Sequence, residues 1–220
     1  MPIKNDREYR MFSSFNPIET RSDDGENNEM FVEGYASTFE TYELFRNGDY
    51  VWKEKIMPDA FDEADMDDVV FLRDHQGQVY ARTKNGLIEI TPDEKGLWTK
   101  TNLSKTSAAR EMYEDIKAEN YTQMSFAFTV DKAHFEDTRD GDFTIVTRVI
   151  DRIKKVYDIS AVAFPANPTT DIGIATRSAF DGEIERLKAE RLHEQEEQMR
   201  VEREAKIAEL KKRISEVIDS

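Results

Sequence analysis

The sequence predicts an α+β protein: a mainly antiparallel β-barrel or strongly bent sheet with flanking helices, followed by a long charged helix. Three observations lead there. Residues 30–177 hold nearly all the aromatic and β-branched residues, in short runs separated by turn signals. One stretch, residues 106–120, repeats its apolar residues at a helical spacing instead of alternating. From residue 178 onward prolines vanish and charges dominate. The 220 residues are 35% charged and 38% hydrophobic, more charged and less apolar than an ordinary soluble domain. One medium core with charged appendages is therefore expected, not two full cores.

Each element follows in order. Residues 1–29 are polar and read as a flexible lead-in, with a weak strand around residues 9–15. Residues 30–39 and 50–56 are strand-like, the second by clean alternation. Met57-Pro58-Asp59-Ala60-Phe61 begins a turn and a short helix, with Pro58 in its first turn. Val69-Val70-Phe71-Leu72 is a short buried strand. Residues 79–90 and 96–103 are strands joined by the turn Thr91-Pro92-Asp93-Glu94-Lys95-Gly96. In the helix at 106–120, Ala109, Met112, Tyr113 and Ile116 share one face. Residues 121–130, 143–157 and 159–164 complete the strands, with a hairpin turn at 137–142. Pro165 and Pro168 stop the last strand. The final helix, 178–220, has 9 Lys/Arg against 12 Asp/Glu, so it cannot bury much of itself. Ile207, Leu210, Ile214 and Val217 give it one narrow seam that suits a partner helix or the domain surface.

Composition excludes several chemistries. Without cysteine there is no disulfide, thiolate metal site or cysteine nucleophile. His75, His134 and His193 have no spacing suited to a metal cage. A net charge of −15 argues against nucleic acid, whose binding rests on Lys and Arg neutralising phosphates. No apolar run approaches a membrane span and no signal peptide opens the chain. A soluble cytosolic protein is expected, binding neither nucleic acid nor membrane and needing no metal or nucleotide cofactor.

Three residues have the chemistry of a hydrolase. His75 follows the apolar run Phe71-Leu72 and precedes Gln76-Gly77, so its imidazole stands at a strand mouth. Ser125 alternates against Met124, Phe126 and Phe128, which points it to a face shared with Ala127 and Thr129, small and polar enough to admit a peptide. Asp158 is a carboxylate among apolar strand residues, costly unless paired, on one face with Ser160 and Val162. A serine hydroxyl needs a base to take its proton, and an imidazole needs a third group to hold its tautomer. Each residue also has an ordinary reading: a solvated loop histidine, an outward strand serine, an edge-strand aspartate. Their spacing of 50 and 33 residues does not choose, since a triad is defined by geometry.

The sequence also resembles the prohead maturation serine proteases of tailed bacteriophages, a group related in fold to herpesvirus assemblin. Five stretches carry the resemblance, in order: Val32-Glu33-Gly34-Tyr35-Ala36; Ile56-Met57-Pro58-Asp59-Ala60-Phe61; Val70-Phe71-Leu72-Arg73-Asp74-His75; Gln123-Met124-Ser125-Phe126-Ala127-Phe128; and residues 157–168, Tyr157 to Pro168. It spans residues 30–177, which delimits a protease domain between the lead-in and the charged helix. The resemblance implies that His75 is the general base and Ser125 the nucleophile, with backbone N–H groups as oxyanion donors. This chain departs from the family twice: Asp158 stands where a glutamate is usual, and Asp74 where a small residue usually precedes the histidine. Assemblin uses a second histidine as its third member. His134 is the alternative here, although nine residues of strand put it about 30 Å beyond Ser125 unless a hairpin returns it.

The function implied is an endopeptidase inside the viral procapsid, in the host cytoplasm, cleaving segments of scaffold and major capsid protein and also itself. Relatives dimerise, and a homodimer is implied on that ground alone. The C-terminal helix is expected to bind scaffold or shell protein, to be trimmed by self-cleavage, or merely to cap the domain. The alternatives are a catalytically inert scaffold or assembly chaperone retaining the protease fold, and a β-domain hydrolase of small esters.

Overall fold

The computed structural model describes residues 7–12, 16–21, 28–163 and 174–218. In chain order the strands are β1 (Glu8–Phe12), β2 (Asn16–Arg21), β3 (Asn28–Thr38), β4 (Tyr42–Asn47), β5 (Tyr50–Ile56), β6 (Val70–Arg73), β7 (Gln76–Arg82), β8 (Ile88–Pro92), β9 (Gly96–Asn102), β10 (Gln123–Asp140) and β11 (Phe143–Val162). The helices are α1 (Ser107–Lys117) and α2 (Ile174–Ile218), with single 3₁₀ turns at Pro58–Phe61 and Thr83–Asn85. The chain divides into two compact units, Met1–Ala175 and Thr176–Ser220.

The fold is α+β and rich in strands, but the expected barrel does not close. One sheet has the order β1-β10-β11-β5-β4, with β6 and β7 attached beside β11, and the other runs β2-β3-β9-β8. The first ends on β1 and β4, which do not pair with each other. Closure fails because β10 and β11 form one long hairpin to which the other strands attach at separate places. Both β5 and β6 run parallel to β11 on the same side of it, β5 along Thr144–Ile150 and β6 along Asp158–Ala161. Two strands placed end to end along one neighbour leave no continuous ring.

Several boundaries differ from the sequence expectation. The long strand expected at 79–90 breaks at Thr83–Asn85, where Gly86 takes a left-handed φ of 72°. The two strands expected at 143–157 and 159–164 are one, and β10 continues past residue 130 to the tight turn before Phe143. β4 was not expected. Within the polar lead-in, β1 pairs with β10 and β2 with β3. Residues 22–27, its most polar part, and both Pro165 and Pro168 lie outside the described residues.

The core lies where the two sheets and α1 meet. Phe61, Phe71, Met124, Phe126, Phe128, Ile150 and Ile159 pack there with Ala109, Met112, Tyr113 and Ile116 from α1. That helix starts at Thr106, whose hydroxyl accepts a hydrogen bond from the Ala109 N–H at 3.1 Å. α2 is strongly charged and carries ion pairs one turn apart, such as Arg186 with Glu183 and Glu190. Its Ile207 and Leu210 are exposed, and the side chains of Ile214 and Val217 lie outside the described residues.

Candidate active site

Strand register builds the site before any side chain is considered. Ser125 on β10 lies opposite Ser160 on β11, and Ser160 lies opposite Leu72 on β6. Ala127 lies opposite Asp158. Ser125, Ser160 and Asp158 therefore share the sheet face turned away from the aromatic core. A β-bulge makes this possible. Phe128 pairs with Val156 while Ala127 pairs with Asp158, which leaves Tyr157 unmatched. In an unbroken strand Val156 and Asp158 would face the same way; the extra residue sends Val156 to the core and Asp158 to the site.

His75 arrives by a tight turn. Arg73 pairs with Gln76, so Asp74 and His75 are the two residues of the β6–β7 hairpin. Both have positive φ, 49° and 57°, a backbone usually given to Asn-Gly. Two consecutive non-glycine residues in this region store strain at the tip. Asp74 secures the hairpin: its N–H donates to the Ala161 carbonyl at 3.0 Å, and its carboxylate accepts from the Ala163 N–H at 3.3 Å. From that tip the imidazole folds back across β11 to reach β10.

The three side chains meet. His75 Nε2 is 2.6 Å from Ser125 Oγ, and His75 Nδ1 is 2.6 Å from Asp158 Oδ1. The Ser160 hydroxyl donates to the same Asp158 oxygen at 2.8 Å. The aspartate thus reaches the imidazole despite being shorter than the family's usual glutamate. Its side chain is 4% exposed and that of His75 18%, so the acid is sealed while the ring remains reachable. With Nδ1–H given to Asp158, Nε2 is left as the acceptor facing the hydroxyl, the tautomer a general base requires. His134 is elsewhere: it pairs with Asp151 at 2.9 Å on the outer half of the β10–β11 hairpin, and that hydrogen bond raises its pKa. His193 is exposed on α2.

A family model of caudovirus prohead serine proteases matches residues 16–183. The chain belongs to that family. Among solved structures, the bacteriophage T4 capsid assembly protease, gp21, aligns with 72% of this chain and 99% of its own, at 13% identity and a TM-score of 0.41. No curated protein matches.

The fold also brings residues to the site that sequence reasoning missed. From β1, the Arg10 carbonyl oxygen lies 3.0 Å from Ser125 Oγ as a second acceptor, competing with the nearer Nε2 for the one hydroxyl proton, and the Tyr9 ring meets the His75 ring in a T-shaped contact with centroids 4.6 Å apart. Behind them, on the opposite face of β1, Glu8 and Arg10 join Glu54 of β5 and Arg148 of β11 in a buried cluster of two acids and two bases. Arg10 donates to Glu54 at 2.5 and 2.8 Å and to Glu8 at 2.8 Å. Arg148 donates to Glu8 at 2.6 and 2.9 Å and to Glu54 at 3.1 Å. The Tyr42 hydroxyl also donates to Glu54. Burial works against the Arg10 charge, but Glu54, Tyr42 and Glu8 outweigh it and hold the guanidinium charged more firmly than water would. The one sequence signal was the weak strand expected around residues 9–15, within a lead-in otherwise read as flexible.

Proposed function

We propose that this chain is a serine endopeptidase that cuts segments of scaffold and capsid protein inside a procapsid. One observation carries the reading: in a chain of the prohead serine protease family, Ser125, His75 and Asp158 form one continuous hydrogen-bonded line. The roles follow from which atom faces which. His75 Nε2 takes the Ser125 proton as Oγ attacks the scissile carbonyl carbon. Asp158 stabilises the imidazolium that results, and Ser160 keeps its carboxylate aimed at Nδ1. The tetrahedral adduct collapses as the imidazolium gives its proton to the departing amine. A water molecule, deprotonated by the same ring, then releases the acyl group from Ser125.

The test is co-expression with the capsid and scaffold proteins of the same particle. The wild-type chain is expected to shorten them, and Ser125→Ala to leave them at full length while keeping its fold. Equal processing by both would establish the inert scaffold reading instead. A Ser125→Ala chain that stays full length while the wild type shortens itself would identify self-cleavage. In both cases the gel readout is the same, the lengths of the chains.

A further inference from the structure

Positions around the dyad are held from three sides. Asp158 and Ser160 lie beneath the imidazole on β11, and the hairpin holds the His75 backbone. The third side is β1, more than sixty residues earlier in the chain. Its Tyr9 and Met11 lie opposite Ala127 and Ser125, so Tyr9 stands on the site face of the sheet. The Tyr9 ring rests edge-on against His75 with an interplanar angle of 65°. Next to it, the Arg10 carbonyl is 3.0 Å from the nucleophile's oxygen. A serine hydroxyl has three staggered rotamers, and only one presents Oγ to Nε2. A second, more distant acceptor fixed on the main chain holds Oγ in that rotamer, between the carbonyl and Nε2, which compete for its one proton.

We propose that β1 is part of the catalytic apparatus, with Tyr9 a positioning residue for His75 and the Arg10 carbonyl a positioning group for Ser125. The buried cluster is what keeps them there. Glu8 and Arg10 are on alternate positions from Tyr9, so the strand that shows its ring to the imidazole drives its charges into contact with Glu54 and Arg148. Sliding β1 by one residue would move Tyr9 off the histidine and strand two charges away from their partners. The register is therefore fixed by charge and read out as catalytic geometry. The inference rests on the serine protease reading above.

The experiment follows burst and steady-state kinetics on a capsid-derived peptide, together with the rate at which a fluorophosphonate phosphonylates Ser125. In the phosphonylation, Oγ bonds to phosphorus, fluoride leaves, and the hydroxyl proton passes to His75. Tyr9→Ala is expected to lower both kcat and the phosphonylation rate by on the order of tenfold, with KM unchanged. Tyr9→Phe should retain wild-type rates, because the phenyl ring keeps the T-shaped contact with the histidine. Tyr9→Leu, which keeps the space filled, serves if the alanine variant does not fold, and is expected to fall between the two. A structural role alone would lower the melting temperature of Tyr9→Ala while leaving kcat and the phosphonylation rate of the folded chain unchanged. Wild-type rates in both Tyr9→Ala and Tyr9→Leu would overturn the proposal, as would faster rates, which would make β1 a cover over the site. If the wild type itself fails to react at Ser125, the protease reading falls and takes this inference with it. If the wild type reacts and the Tyr9 variants match it, only the inference falls.

Discussion

At the scale of single residues, the site depends on how a short acid reaches a histidine on a strained turn. Asp158 sits on β11 directly beneath the ring, and its carboxylate has two donors on one oxygen, His75 Nδ1 and the Ser160 hydroxyl. Asp158→Asn keeps the shape but offers an amide that can leave the imidazole in the wrong tautomer. A fall in kcat on the order of 10⁴-fold is expected, with little change in KM, measured by peptide cleavage. Asp158→Glu restores the family's usual residue, but its extra methylene must fit under a ring already 2.6 Å away, so a loss of activity is expected there too. His75, Ser125 and Asp158 stood out in the sequence because each interrupts an apolar pattern at a strand. Ser160 and Tyr9 did not, because a serine and a tyrosine on a strand interrupt nothing. The role of Arg10 was hidden altogether, since a main-chain carbonyl has no residue type.

At the scale of elements, the site is a product of β-sheet irregularity. The Tyr157 bulge and the two-residue hairpin at Asp74-His75 both re-aim a side chain that regular alternation would misdirect. Strand positions were legible from alternation where one face is buried, as at Tyr50–Ile56. They were not legible across bulges, which break the period: the β10–β11 pair has register shifts at Ala127/Phe128 and again near Thr129–Ala133. That is why one strand of 20 residues read as two. Packing makes a separate prediction. Gly96 begins β9 against the β3 backbone, and a Cβ there would lie 2.0 Å from the Ser37 carbonyl oxygen. Gly96→Ala must push two strands apart, and a loss on the order of 3 kcal/mol is expected in denaturant unfolding. On the outer hairpin, the His134–Asp151 bond raises the histidine's folded pKa above its unfolded value. The stabilisation is then fully present below the unfolded pKa and fades as pH rises through the folded one. His134→Asn should lose a few tenths of a kcal/mol at about pH 5.5 and nothing at about pH 9, read from unfolding midpoints.

For the whole molecule, the open sheet matters because it lets a strand from the beginning of the chain and a strand from its middle share charges inside. Arg10, Glu8, Glu54 and Arg148 link β1, β5 and β11 across sequence separations of up to 140 residues. Two opposite charges on each side make the cluster neutral, so burial is tolerated only while all four are present. Arg10→Met leaves two carboxylates to one guanidinium, and a loss of about 3–5 kcal/mol is expected. Pairwise substitution of Glu8 and Arg10 together should be milder, because Glu54 and Arg148 keep each other at 3.1 Å. The barrel expectation failed at this scale because sequence patterns specify strands and faces, while closure depends on which strand pairs with which. The charged C-terminal unit makes its own prediction. A chain ending near residue 178 is expected to cleave peptide as the full chain does but to be left out of assembled particles, measured by its copy number in purified procapsids; normal incorporation would remove any targeting role for α2. No helix among the described residues is long and apolar enough to cross a membrane.

The most direct test of the central claim is where an electrophile attaches. The full chain, treated with a fluorophosphonate and digested, is expected to carry a single phosphonyl group on the peptide containing Ser125. His75→Ala should abolish that adduct while leaving the fold intact by circular dichroism. An unlabelled Ser125, or equal labelling in the absence of the imidazole, would contradict a proton passing from that hydroxyl to that ring.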